Sequence, residues 1–265
     1  MKTYNTLSEA YLGSLEDVLD NPEYVCAPRG IPIREITNYS FKVMFPDSNP
    51  VVTKDLDRNV TIASYTAKEK ALYDSGSNRV EDFAKASKFW EKLANPDSET
   101  VNSAYGFLIF KNHSYGNAEF ECGPRGTDAI NYNKTTFEER IKAYRTPWEW
   151  CLESLKADKD TRQAILHFNL PKHAWMGVKD FPCTLSGTFQ IRENKLNFSI
   201  VMRSNDLVKG SAFDFPWFAS LIEKMVEELK PTYPELQVGS YVHAAQSLHI
   251  YDRDVEVVKK MLGRI

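Results

Sequence analysis

One run of the sequence, from Asp180 to Asp214, carries the residue types best suited to chemistry. Cys183 follows a proline, and the charged cluster Arg203-Ser204-Asn205-Asp206 lies further along the run. Two strand-like stretches, Thr188 to Arg192 and Leu196 to Met202, separate them and flank a polar turn of Glu193, Asn194 and Lys195. Because a hairpin returns its far end to its base, this pattern predicts that Arg203 lies beside Cys183. A guanidinium lowers the pKa of a neighbouring thiol, and the thiolate is the nucleophile, so the pair indicates nucleophilic catalysis.

Taken alone, a cysteine and a later arginine are more typical of a buried structural thiol and a surface cation. The remaining motifs decide between the two interpretations. The Pro-Cys pair, the Arg-Ser-x-Asp cluster and a polar residue eight positions after that Asp resemble the core of the thymidylate synthase family. The stretch from Ser247 to Tyr251 resembles the family's His-x-Tyr strand, which holds the sugar hydroxyl. Several matched motifs in one order favour catalysis.

Asp214 departs from the usual pattern of that family, which has an asparagine at this place. An asparagine amide satisfies both the N3–H donor and the O4 acceptor of uracil. Cytosine instead presents an acceptor at N3 and an amino donor at position 4, which suit a carboxyl group that shares one proton with the ring. Against uracil an ionised carboxylate would leave buried groups unpaired, at about 1–3 kcal/mol each. Asp214 therefore favours a cytosine base, although a helix N-cap before Phe215-Pro216 is an alternative or additional role.

The resemblance is strongest to the phage branch of the family that hydroxymethylates deoxycytidylate, which also has threonine after the nucleophile, as Thr184 is here. It implies that Cys183 adds to C6 of the ring and that C5 then attacks the one-carbon unit of 5,10-methylenetetrahydrofolate. Tetrahydrofolate leaves, and water adds to give 5-hydroxymethyl-dCMP. No metal takes part.

The same resemblance assigns roles to other residues. Glu69, on the apolar side of a predicted helix, would order water and protons around the base, as a third catalytic residue beside Cys183 and Asp214. The residues implied for the nucleotide are Arg29, Arg162, Arg203, Ser204, Asp214, His249 and Tyr251; those implied for the folate are Trp90, Tyr105 and Asp206. The family's arginine pair is reduced to Arg162, which implies a homodimer in which this side chain reaches the partner's phosphate.

Three alternatives stay open from the sequence. A methylating synthase would act on dCMP or dUMP, with hydride in place of water. A CMP hydroxymethylase would use the ribonucleotide, although the intact Arg203-Ser204 pair favours the deoxy sugar. A nucleotide-binding protein without catalysis is the third alternative. The chain stops soon after the His-x-Tyr strand, and a less fully closed site would favour water as the final reactant.

The composition is that of a globular protein, with 42% hydrophobic residues, and 33 basic against 36 acidic side chains give a net charge of −3. This charge does not favour a nucleic-acid partner. No leader or long apolar run is present, and Cys26, Cys122, Cys151 and Cys183 show no metal or disulfide spacing, so we expect a cytoplasmic protein with no membrane contact. In a phage-encoded enzyme that would be the host cytoplasm, with a role in phage DNA modification.

The predicted fold is an α/β fold of the α+β type, in one catalytic domain spanning residues 1–265. A mixed sheet is flanked by helices, and the apolar stripe from Phe215 to Leu229 predicts a long buried central helix. Apolar spacing predicts further helices over Leu7 to Leu19, Thr61 to Tyr73 and Val80 to Leu93. Thr146-Pro147-Trp148-Glu149 is typical of a helix start with a capping box. The polar stretch 116–134 carries no assigned chemistry.

Overall fold

The computed structural model describes residues 1–112 and 146–265. It has the mixed sheet flanked by helices that the sequence predicts. The segment 116–134, with Cys122, lies outside the described residues. The helices in chain order are α1 Leu7–Asp20, α2 Leu56–Ser75, α3 Val80–Ala86, α4 Tyr105–Phe110, α5 Pro147–Ala157, α6 Ala212–Leu229 and α7 Val255–Met261. The strands are β1 Lys2–Tyr4, β2 Tyr24–Cys26, β3 Ile33–Val43, β4 Ile165–His167, β5 Thr184–Arg192, β6 Lys195–Met202, β7 Asn205–Asp206 and β8 Gln237–Tyr251.

The strands form one sheet in the order β1-β3-β8-β6-β5-β4, with β2 paired to β3 and β7 paired to β8. The β3–β8 and β5–β6 pairs are antiparallel, whereas β6–β8 and β7–β8 are parallel. Burial alternates along β6, where Leu196, Phe198, Ile200 and Met202 are buried and the residues between them are not. One face of the sheet is therefore covered by helices and the other is more open.

The predicted hairpin is confirmed, with two differences in its bounds. Strand β5 begins at Thr184, directly after the cysteine, rather than at Thr188. The turn contains two residues, since Glu193 and Asn194 have φ values of 51° and 57° and Lys195 already pairs with Arg192. Positive φ at both central residues gives a turn whose twist matches that of the strands. The register pairs Thr184 with Met202, so Cys183 and Arg203 face each other at the hairpin's base.

The buried central helix is confirmed as α6, which packs against β6, β8 and α2. The predicted helix of Thr61 to Tyr73 belongs to the longer α2. The predicted helix of Val80 to Leu93 is wrong as one unit, because the extended backbone of Ser87 separates α3 from a 3₁₀ turn at Lys88–Leu93. The Thr146 capping box opens α5 as predicted. Among the residues described, no helix is long and apolar enough to cross a membrane.

Candidate active site

Cys183 and Arg203 are in contact at the base of the hairpin. The main-chain N–H of Arg203 donates to the carbonyl of Cys183 at 2.8 Å, and its Nη2 lies 3.4 Å from the Cys183 Sγ. The guanidinium also donates to the carbonyls of Phe181 at 2.6 Å and Pro182 at 3.1 Å. These bonds hold the arginine against the main chain that precedes the nucleophile. The sequence prediction that the two residues meet is confirmed.

The electrostatics of the Cys183 thiol differ from the expectation. Burial raises the pKa of this thiol, and the Asp214 and Asp180 carboxylates raise it further, whereas Arg203 and Arg29 lower it. The guanidinium therefore acts in the predicted direction, but burial outweighs it. In this structure the thiol pKa lies above its ordinary value, so proton removal from the thiol must accompany attack.

Two arginines line one open pocket beside the nucleophile. Arg29, in the turn Pro28–Gly30, and Arg203 line it together with Trp175, Met176 and Phe181. Arg29 adopts a left-handed backbone conformation with a φ of 55°, which reverses the chain direction within this short turn. Two guanidinium groups at one exposed pocket can hold a phosphate through paired N–H donors. Arg162 is exposed after α5 and is not among the residues that line this pocket.

Asp214 lies in the first turn of α6 and is only 9% exposed. The N-cap alternative is wrong, because a π-helical segment, Leu207–Ser211, runs directly into α6 and places Asp214 inside the helical stretch. Its Oδ2 accepts a hydrogen bond from Asn205 Nδ2 at 3.0 Å. The pKa of Asp214 is raised to about 6, chiefly by burial and less by the Asp206 charge, while the Asn205 bond opposes the rise. This carboxyl can therefore exchange a proton near neutral pH.

Glu69 occupies a second buried position, on α2, with an exposed fraction of 7%. The Tyr65 hydroxyl donates to its Oε1 at 3.2 Å, and Trp90 Nε1–H donates to that hydroxyl at 3.2 Å. The pKa of Glu69 is raised to about 8, chiefly by burial and also by the Asp214 charge, while the Tyr65 bond opposes the rise. The predicted catalytic carboxylate is thus a proton acceptor or donor in the physiological range.

Tyr105 and Asp180 support the main chain around the nucleophile. The Tyr105 hydroxyl accepts from the Thr184 N–H at 3.2 Å, directly after Cys183. Asp180 is 5% exposed and accepts from the Ser103 N–H at 2.7 Å, while Asn102 donates to the Asp180 carbonyl at 2.8 Å. Sequence reasoning did not single out Asp180. The sequence shows only an aspartate three positions before the cysteine, and this pattern does not distinguish a buried aspartate from a surface one.

Residues predicted for the sugar and for the folate lie together where β7 meets β8. Asp206 pairs in register with His249, and the edge of the Tyr251 ring contacts His249 with centroids 5.4 Å apart. Asp206 Oδ1 accepts from the N–H groups of Val208 and Lys209 at 2.8 and 3.1 Å, which caps the π-helical segment. Ser204 is half-buried beside them. Within residues 1–112 and 146–265 no group of His, Cys, Asp and Glu could hold a metal ion.

Comparison with known proteins gives consistent matches. The family model described as thymidylate synthase matches residues 9–265. The chain is 27% identical to a deoxycytidylate 5-hydroxymethyltransferase of Enterobacteria phage T6, over 73% of the chain and 69% of the relative. It is also 27% identical to a deoxyuridylate hydroxymethyltransferase of Bacillus phage SP01, over 97% of the chain and 61% of that protein. A thermostable thymidylate synthase A from Bacillus subtilis has the same fold, with a TM-score of 0.64 at 17% identity over 96% of this chain and 83% of that one.

Proposed function

The chain belongs to the thymidylate synthase family of one-carbon transferases, and on this premise we propose that it converts dCMP to 5-hydroxymethyl-dCMP. The family binds a nucleotide monophosphate and uses 5,10-methylenetetrahydrofolate as co-substrate. In this reaction dCMP, the folate and water give the hydroxymethylated nucleotide and tetrahydrofolate. The similarity to the deoxycytidylate 5-hydroxymethyltransferases of phages T6 and T4, at 27% and 26% identity, supports this proposal.

The observation that carries the proposal is the buried carboxyl of Asp214. It lies on the helix that follows the Arg203 cluster and is electrostatically coupled to Cys183 and Glu69, so it belongs to the same site. A carboxyl group whose pKa is raised to about 6 can share one proton with N3 of cytosine and accept from the 4-amino group. The same group ionised would oppose the O4 oxygen of uracil with a second acceptor.

Cys183, Arg203 and Glu69 would perform the covalent steps. The Cys183 sulfur forms a bond to C6 of the ring, which makes C5 nucleophilic toward the one-carbon unit. Because burial raises the pKa of this thiol, a base must take its proton, and Arg203 at 3.4 Å stabilises the developing thiolate. After C5 loses its proton, elimination of tetrahydrofolate would leave an exocyclic methylene on C5; water would add to that methylene, and the sulfur would then leave C6. Glu69 would orient that water and exchange protons with it.

The folate would bind against Trp90, Tyr105 and Asp206, and the carboxylate of Asp206 fits the N–H groups of a reduced pterin. The carboxylate of Asp206 uses Oδ1 for its two main-chain bonds, so Oδ2 remains to accept from ring N–H groups. The Trp90 indole is 8% exposed and is held by Tyr65, which keeps a flat apolar surface beside Glu69. When bound, the folate supplies a carbon at the oxidation level of formaldehyde. These residues would orient it toward C5.

Arg29 and Arg203 would hold the phosphate, while Ser204, His249 and Tyr251 would contact phosphate and sugar. We propose a homodimer in which Arg162 of one subunit completes the partner's phosphate site. The open face of the sheet supports this, since Val201, which alternates with the buried residues of β6, is 36% exposed there. Mixed dimers of Arg162→Ala and Cys183→Ser subunits should recover activity that neither homodimer has, because one of the two sites is then complete. Mixed dimers without activity would contradict a shared site.

The deciding experiment is incubation of the chain with dCMP and methylenetetrahydrofolate in ¹⁸O-labelled water, followed by mass analysis of the nucleotide. A 5-hydroxymethyl product that carries solvent oxygen is expected. A methyl product, with absorbance from dihydrofolate, would instead identify a methylating synthase. Turnover of CMP but not dCMP would identify a ribonucleotide hydroxymethylase.

Uracil hydroxymethylation is the second candidate function. The deoxyuridylate hydroxymethyltransferase of phage SP01 matches 97% of the chain. The carboxyl at position 214 opposes this alternative on the physical grounds given above. Parallel reactions with dUMP under the same conditions separate the two, because only one nucleotide should be consumed at low concentration.

A further inference from the structure

Asn205 and Ser211 form a hydrogen-bonded chain behind the Asp214 carboxyl. Ser211 Oγ–H donates to Asn205 Oδ1 at 2.6 Å, and Asn205 Nδ2–H donates to Asp214 Oδ2 at 3.0 Å. Ser211 is 0% and Asn205 3% exposed, so bulk water does not replace these partners. A side chain added at Gly210 would meet Asn205 Nδ2 and Asp214 Oδ2, each at 3.2 Å from its Cβ. The chain is therefore closely packed as well as buried.

The Ser211 hydroxyl fixes the direction of this chain. Its one proton can go to Asn205 Oδ1 at 2.6 Å or to the Asp206 carbonyl at 3.3 Å, and the shorter contact is the better bond. The Asn205 oxygen then faces Ser211, which directs the amide nitrogen toward Asp214. The amide nitrogen donates to Oδ2, and an unprotonated carboxyl oxygen accepts such a bond better than a protonated one. A proton taken up by the carboxyl is therefore favoured on Oδ1, which leaves Oδ2 an acceptor.

Which oxygen carries the proton decides which base a neutral carboxyl group can bind. With the proton on the oxygen that faces N3, the carboxyl donates to N3 and accepts from the 4-amino group, which matches cytosine. With the proton on the other oxygen, it accepts from N3–H and donates to O4, which matches uracil. A carboxyl free to protonate on either side would accept both bases.

We propose that Asn205, held by Ser211, excludes uracil nucleotides by keeping Oδ2 of Asp214 an acceptor opposite the 4-substituent of the base. This inference rests on the proposed function, since it takes Asp214 to contact the base with Oδ1 facing N3 and Oδ2 facing the 4-substituent. Asn205 and Ser211 are positioning residues in this scheme, and Asp214 alone touches the nucleotide. Ser211→Ala releases the amide of Asn205, which can then turn and accept a proton from Oδ2.

The test is equilibrium binding of dCMP and dUMP to the full chain by titration calorimetry. The wild type should prefer dCMP. Ser211→Ala should lower the ratio of the dUMP to the dCMP dissociation constant about tenfold, the effect of one hydrogen bond, mainly through tighter dUMP binding. Ser220→Ala is the matched control, because Ser220 is a buried serine on α6 that donates to the Trp217 carbonyl at 2.7 Å. It should leave the ratio unchanged.

An unchanged ratio in Ser211→Ala would overturn the inference, and Asn205→Ala gives a second test if Ser211→Ala does not fold. A wild type that turns over dCMP in the labelled-water experiment while Ser211→Ala keeps its base preference would refute this inference alone. A wild type that binds dUMP more tightly than dCMP would refute the proposed base specificity as well.

Discussion

The two halves of the site are held in different ways. Around Cys183 the bonds join one side chain to main-chain groups, as when the Arg203 guanidinium donates to the carbonyls of Phe181 and Pro182. Around Asp214 and Glu69 the supports are side chains, since Asn205 bonds to the first carboxyl and Tyr65 to the second. A bond between a side chain and the main chain is lost only when that one side chain changes, whereas a bond between two side chains is lost when either changes. Base preference and protonation therefore depend on both members of each pair, while the main chain at Cys183 is held independently of the cysteine side chain.

The largest expected effect lies in the nucleophile's half. Cys183→Ser should reduce turnover about a thousandfold or more, because a serine hydroxyl ionises far less readily than a thiol and is a weaker nucleophile. Its stability should change by less than about 1 kcal/mol, since the main-chain bonds remain. Steady-state turnover and thermal unfolding of the same samples measure both quantities.

Cys26→Ser is the matched control for that variant. Cys26 ends β2, where its Sγ–H donates to Glu35 Oε1 at 3.4 Å. It takes no part in the hydrogen bonds described above between Arg203 and the hairpin base. Its substitution should leave turnover within about twofold, as is usual for a surface change. Residual turnover of Cys183→Ser near the wild-type value would contradict covalent catalysis and leave the nonenzymatic interpretation open.

The second effect lies in the base-reading half, in the double variant Asp214→Asn with Ser211→Ala. An asparagine amide can offer an oxygen to N3–H and an NH2 to O4, once Asn205 is free to turn. The preference for dCMP over dUMP should therefore fall by about a hundredfold, measured as the ratio of kcat/KM. The single variant Asp214→Asn should keep a cytosine preference, because Asn205 still directs the amide oxygen of residue 214.

Two results would change this comparison. A double variant that still prefers dCMP would remove Asp214 from base recognition. A single Asp214→Asn variant that already prefers dUMP would keep Asp214 in that role but show that Asn205 does not orient it.

The sequence predicted the nucleophile's half because local patterns determine it. Strand alternation and a polar turn fix the register of the hairpin, and that register alone brings Arg203 to Cys183. The apolar stripe of α6 and the capping box at Thr146 are equally local. The prediction that Glu69 lies on the buried face of its helix also follows from spacing.

The base-reading half was less predictable because its contacts join distant or ambiguous residues. Tyr65 meets Trp90 across two helical segments, and the break at Ser87 that places Trp90 has no strong sequence signal. Asn205 belongs to the cluster Arg203-Ser204-Asn205-Asp206, yet only the structure shows that its side chain bonds to Asp214 on α6. The direction of the Cys183 pKa was also missed, because burial cannot be read from neighbouring charges.

The smallest expected effect is that of Tyr65→Phe, and it is seen as a pH dependence of the loss in folding stability. Burial raises the pKa of Glu69 from 4.5 to about 8, so this carboxyl favours folding below pH 4.5 and loses that contribution as the pH rises through 8. The Tyr65 hydroxyl limits the loss by donating to the carboxylate. Without it the folded pKa of Glu69 rises further. The loss of stability relative to the wild type should therefore be about 1 kcal/mol larger at a pH of about 9 than at a pH of about 5.

Tyr233→Phe is the control, because it removes a hydroxyl bonded to the Leu155 carbonyl at 2.7 Å. It should lose similar stability at both pH values. Equal losses at both pH values for Tyr65→Phe would mean that its hydroxyl supports packing and not the charge of Glu69.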